Sequence, residues 1–113
     1  MDEFEQKWNH AEAAFEKHFG KAPNDLNAFL FVIGIQELGK GVIPFSKEEK
    51  QDLMHIATCK ILSQSGYYEY THTDEQGWPH FSIKTPLPHH KLGQQERLLQ
   101  EHVVMYFEAN GLM

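Results

Sequence analysis

Residues 46–85 read SKEEKQDLMHIATCKILSQSGYYEYTHTDEQGWPHFSIKT, and the fold turns on the change of period inside this stretch. Ser46 and Glu49 have the spacing of a capping box, in which each side chain satisfies a backbone N–H of the other. A helix therefore starts here and runs to about Gln64, with Gly66 placed to end it. Leu53, Met54, Ala57 and Ile61 make its main apolar face. The period then drops to two. Tyr67 to Thr73 and Trp78 to Thr85 are rich in aromatic and β-branched residues, and Asp74-Glu75-Gln76-Gly77 between them predicts a hairpin turn. A four-residue loop sets Tyr70 opposite Phe81 and Tyr68 opposite Ile83 on one face. Glu69, Thr71, His80, Ser82 and Lys84 take the other face, and a slip of one residue would mix the two sets. Pro79 lacks an N–H, so its strand is an edge there.

Working outward, helices flank this unit. Asp2 to Phe19 carries Phe4, Trp8, Ala11, Phe15, His18 and Phe19 on one stripe, with Asp2 and Glu5 as cap and Gly20 as stop. A second helix is predicted from about Asn24 to Leu38, closed by Gly39. Its apolar residues, Leu26, Phe29, Leu30, Phe31, Val32, Ile33, Ile35 and Leu38, point all round the wheel. Periodicity alone would also allow a buried strand; the capping residues and the length favour helix. Thr85-Pro86-Leu87-Pro88 is a stiff connector. The last helix, about Lys91 to Glu108, presents Leu92, Leu99, Val103, Tyr106 and Phe107 and stops at Asn110-Gly111. The expected fold is mainly α: about four helices in one domain, 1–113, with a β-hairpin between helices 3 and 4. The alternative is a winged-helix-like arrangement.

Composition narrows the function. The chain has 113 residues, 41% of them hydrophobic, enough for one core without a disulfide or metal staple. Sixteen acidic residues against ten basic give a net charge of −6, and Arg97 is the one arginine. From Ser46 to Thr85 the balance is four lysines against six carboxylates, and Glu48, Glu49 and Asp52 occupy the start of the helix that a winged helix would insert into DNA. Nucleic acid is thus not an expected partner. The longest apolar run, Ala28 to Ile33 with Gly34 and Ile35 behind it, falls well short of the roughly 20 residues of a membrane span. MDEFEQKW resembles no secretory signal and Cys59 has no second cysteine to pair with, so a cytoplasmic protein is expected.

Eight histidines raise the question of a metal. His55 and Cys59 stand four apart on the third helix, as two ligands would. They lie away from its main apolar face, near the surface, so we read a solvated imidazole beside a packed or exposed thiol. His72 and His80 fall on opposite hairpin faces in the preferred register, and His89-His90 sits beside the proline-rich connector. No C-x-x-C, H-E-x-x-H, G-x-S-x-G or Walker spacing is present, and Gly39-Lys40-Gly41 reads as a helix stop and turn. Neither a cofactor nor an enzymatic activity is expected. Gln36 and Glu37 are the oddity: Glu37 falls on the Leu26/Leu30/Ile33 stripe near a helix C-terminus, where burial and the dipole both disfavour its charge. It is expected to be at least partly buried and either paired with a Lys or His or raised in pKa. The leading expectation is a non-enzymatic interaction module that self-associates, with Glu37, Gln36, Phe31, Tyr68, Tyr70 and Phe81 as interface or ligand candidates. A small-ligand or metal-binding protein using histidines and Glu37 is one alternative. A winged-helix-like regulator acting through contacts with an unidentified protein is the other.

Overall fold

Side-chain caps set where the helices begin. Asp2 accepts the Glu5 N–H at 2.8 Å and starts α1 (Glu3–Phe19), whose first turn carries Glu3 and Glu5 as the helix dipole favours. Asp25 accepts the Ala28 N–H at 3.2 Å and starts α2 (Leu26–Leu38). The apolar run is therefore helix rather than strand. Gly39, at φ 74°, adopts the left-handed conformation that lets its N–H bond back to the Ile35 carbonyl. Ser46 and Glu49 form both bonds of the capping box at the head of α3 (Lys47–Ser63). The hairpin β1 (Tyr68–Thr73) and β2 (Pro79–Ile83) follows, and α4 (Leu92–Ala109) closes the chain. The structure, a computed structural model, describes residues 2–88 and 91–113. It is a mainly α fold of four helices with a two-stranded antiparallel hairpin between α3 and α4.

All four helices feed one core. Phe29 of α2 is its centre, fully buried, its ring 4.8 Å from that of Trp8, 4.9 Å from Phe15 and 5.4 Å from Phe107. Such tilted aromatic pairs add about 0.5–1.5 kcal/mol each beyond area burial. Helix α2 lies very close to α3: a Cβ on Gly34 would collide with the carbonyl oxygen of Leu53. Helix α3 also packs against the hairpin and α4, so it is buried on several sides. Leu53, Ile56, Ala57, Cys59, Ile61 and Leu62 are all below solvent, a wider arc than the single Leu53/Met54/Ala57/Ile61 face read from the sequence, and Met54 is only half-buried. Buried His102 ties α4 to the end of α3. Its Nδ1–H donates to the Leu98 carbonyl at 2.7 Å, the Ser65 hydroxyl lies 2.7 Å from its Nε2, and Gln64 donates to its carbonyl at 3.0 Å.

Four details depart from expectation. Leu92 does not join the core face of α4; it is 83% exposed, on the rim of an open groove beside Asp25 and Leu26 at the head of α2. His18 and Phe19 likewise emerge at the end of α1, where His18 Nε2 donates to the Leu112 carbonyl at 2.9 Å. The hairpin has two registers. Tyr68 pairs with Ile83 and Tyr70 with Phe81, as read from the sequence, but a bulge at Thr71 shifts the rest so that His72 pairs with His80 and Thr73 with Pro79. The loop beyond that shift is 74–78, one residue longer than expected. The histidines fall within the described part of the hairpin, whereas His89 and His90 lie outside the described residues.

The outline is elongated, 46 × 35 × 25 Å, with a radius of gyration of 14.1 Å against about 13 Å for a compact chain of this length. Accessible surface is 7196 Å², some 800 Å² above the roughly 6,400 Å² usual for a monomer of this mass. Among the described residues no helix is long and apolar enough to cross a membrane.

Candidate functional site

The bulge builds one side of a cleft. Asp74 Oδ1 accepts the N–H groups of Gln76 (2.9 Å) and Trp78 (3.0 Å), which folds the turn, while Oδ2 takes His80 Nε2–H at 2.9 Å. His80 first, then the Trp78 N–H, holds the Asp74 carboxyl below its ordinary range. The extra residue brings His72 over His80, rings parallel within 2° and 4.6 Å apart. Thr71 donates to the His80 carbonyl at 3.1 Å and its oxygen lies 3.0 Å from His72 Nδ1. A helix face stands opposite. Glu49, Asp52 and His55 are one turn apart on α3, above Ile56, and with Trp78 and Phe81 of the hairpin they enclose about 520 Å³. That volume falls within the range of small-molecule clefts.

The cleft is acidic. No lysine or arginine among the described residues lies within ion-pair distance of Glu49, Asp52 or Asp74. Lys40 reaches the rim and donates to the Gln76 carbonyl. Among the described residues no three His, Cys, Asp or Glu side chains converge as a metal ion requires. His80 Nε2–H is taken by Asp74, and His72 Nδ1 lies against the Thr71 hydroxyl. Carboxylates over an aromatic wall can instead hold an organic cation.

A second polar cluster joins three helices. Tyr106 of α4 is 1% exposed, and its hydroxyl donates to Glu37 Oε2 at 2.6 Å while accepting from Gln36 Nε2 at 2.9 Å. Lys60 Nζ of α3 lies 3.8 Å from Glu37 Oε1. Burial, then the bond to Glu37, pushes the Tyr106 phenol well above its ordinary pKa. Glu37 is thus half-buried, with a cation and a phenol for partners. Its side chain keeps 22% exposure and Lys60 40%, so the ion pair itself is a screened one worth about 1 kcal/mol or less. The 3–5 kcal/mol of a fully buried pair does not apply to it.

His55 and Cys59 are neighbours, Nε2 to Sγ 3.6 Å, but only His55 is exposed. Cys59 is 1% exposed, the packed one of the two alternatives and deeper than the near-surface placement of the pair read from the sequence: α3 is covered on that side too. Burial pushes its thiol up to about 11, so it is an inert thiol at neutral pH. Phe31 is half-buried, edge-on to Phe45 at 6.4 Å. Tyr68 and Phe81 are half-covered, whereas Tyr70 and Ile83 on the same hairpin face are 57% and 67% exposed. The structure brings His55 and Phe81 to the cleft and Gln36 and Glu37 to Tyr106; it does not unite the two groups. Asp74, Trp78, Glu49 and Asp52 were not singled out from the sequence as site residues. Asp74 at the head of a turn closed by Gly77 was the available signal. Comparison with protein-family models, curated proteins and solved structures found no match.

Proposed function

We propose that this protein is a non-enzymatic interaction module that self-associates. The surplus of surface supports the reading: about 800 Å² beyond what a monomer of this mass usually exposes is close to the share each partner contributes to a standard interface. That surface includes large apolar side chains in water, among them Val42 at 86% and Ile83 at 67%. The inert Cys59 thiol adds no nucleophile to set against it. Sedimentation velocity at tens of micromolar tests the proposal. A species of twice 13.1 kDa or more is expected, and a monomer throughout would end it.

The cleft favours a second reading, a site for a small organic cation. His55 and His80 line it, and Glu37 does not. Agmatine should shift the Trp78 indole N–H resonance saturably and lose most of that effect in Asp52→Asn; a shift equal to that given by neutral butanol would reject it.

A further inference from the structure

We propose that the α3–hairpin cleft releases its organic cation on acidification, with His55 and His80 as the groups that take up protons, an inference that rests on the cation-binding reading of that cleft. The titratable groups that line it come from two elements. Glu49, Asp52 and His55 stand on α3, and Asp74 and His80 on the hairpin. His72 stacks on His80, rings 4.6 Å apart, and Lys40 stays at the rim on the Gln76 carbonyl. No lysine or arginine among the described residues is within ion-pair distance of the three carboxylates. Imidazole is the side chain whose charge ordinarily changes between pH 5 and 8, whereas carboxylates ordinarily titrate near pH 4. The histidines therefore set how negative the cleft is across the neutral range. His80 is placed to offset a carboxylate directly, its Nε2–H already on Asp74 Oδ2 at 2.9 Å. That bond and the Trp78 N–H hold the Asp74 carboxyl below its ordinary range, so it stays charged while imidazole titrates.

Above the imidazole range the cleft presents three carboxylates and neutral histidines, which attract a cation. As pH falls, each histidine gains a positive charge in the wall of the same cavity and repels it. A cavity of 520 Å³ is about 10 Å across, so a charge in its wall lies about 6–7 Å from a cation at its centre; in water at low salt each such charge weakens binding about threefold. Two imidazolium groups together should raise Kd about tenfold between pH 8 and pH 5.5. The coupling is reciprocal: a bound cation must keep the histidines neutral to lower pH, and for a tenfold change their two titration midpoints together fall by about one pH unit.

Agmatine is the probe, because its amine and guanidinium keep their charge from about pH 5.5 to 8. Titration of the wild type at about 20 mM ionic strength, followed by the Trp78 indole N–H resonance, should give a Kd about tenfold higher at pH 5.5 than at pH 8. In the double variant His55→Gln/His80→Gln, Kd should change less than about threefold over the same range. Both positions are exposed, and circular dichroism checks the fold of the variant. The second measurement needs no variant. The ring C–H resonances of His55 and His80 should titrate at lower pH with saturating agmatine than without it, whereas His10, on α1 and outside the cleft, should not move. A Kd that is equal or lower at pH 5.5, or histidine midpoints that agmatine leaves in place, overturns the proton link and leaves the cation site standing. A double variant that keeps the full pH dependence overturns the role given to His55 and His80. No saturable shift at either pH overturns the cation site and the proton link together.

Discussion

Replacing Tyr106 by phenylalanine removes one oxygen atom from the junction of three helices and leaves the ring in place. That oxygen donates a charge-assisted bond to Glu37 at 2.6 Å and accepts one from Gln36 at 2.9 Å. A bond to a charged group contributes about 1.5–3 kcal/mol and a neutral one about 0.5–1.5 kcal/mol. Glu37, 22% exposed, and Gln36, exposed, recover part of this from water. The net cost should be about 2 kcal/mol at pH 7, which lowers the urea midpoint by about 1 M with an unchanged m-value. The pH profile carries a second signature. In the unfolded chain a tyrosine loses its proton near pH 10, but Tyr106 in the folded chain keeps its proton well above that. The folded state then binds more protons, so wild-type stability must fall as pH rises past about 10. Tyr106→Phe should abolish that part of the fall. Urea titrations at pH 7 and across pH 9 to 11 decide the matter. A midpoint within about 0.5 kcal/mol of wild type, or an identical alkaline slope, would refute the role given to the hydroxyl.

Gly34→Ala should cost roughly 3 kcal/mol despite the helix preference of alanine, because its methyl meets the Leu53 carbonyl; a thermal midpoint at or above wild type would show that the two helices are not in close approach. Cys59 should react with a disulfide reagent at pH 8 only as fast as the protein opens, and a rapid burst would place the thiol at the surface. Its raised pKa adds an earlier alkaline loss of stability, from about 9 toward 11, that Cys59→Ala should remove in urea titrations. Fluorescence anisotropy should detect no binding to duplex DNA at submicromolar protein and physiological salt, given the carboxylates at the head of α3; binding with a steep salt slope would contradict this.

The sequence made most element boundaries legible because capping is local chemistry. Asp2 and Ser46 each accept the N–H three residues on, and Gly20 and Gly39 end their helices, as read; the cap of α2 is Asp25, one residue past the start read at about Asn24. Half the hairpin register was legible for the same reason, since Tyr68, Tyr70, Phe81 and Ile83 sort to one face. The bulge was not, because alternation at the open end carries no information about an extra residue near the turn. Cys59 was set too near the surface by a wheel reading that allowed α3 a single buried face, although Ile56 and Leu62 already lay outside it. Gly34 inside an apolar helix was a signal of close backbone approach that went unread. The cleft was the least legible feature. It joins Asp52 and His55 to Asp74 and His80 across an interface between helix and hairpin, and spacing along the chain does not encode that distance.

The bulge at Thr71 has a consequence for the solubility of the chain at high concentration. A two-stranded sheet has two bare rims, and each is a template on which another molecule's strand could grow. Here each rim is spoiled by a different device. In β1 the extra residue breaks the regular repeat of N–H and C=O groups and increases the local twist. In β2 the first residue, Pro79, supplies no N–H at all. A ladder begun on either side would lose its register within a few residues. An aromatic hairpin of this composition is therefore kept from seeding cross-β stacks without the burial of either strand.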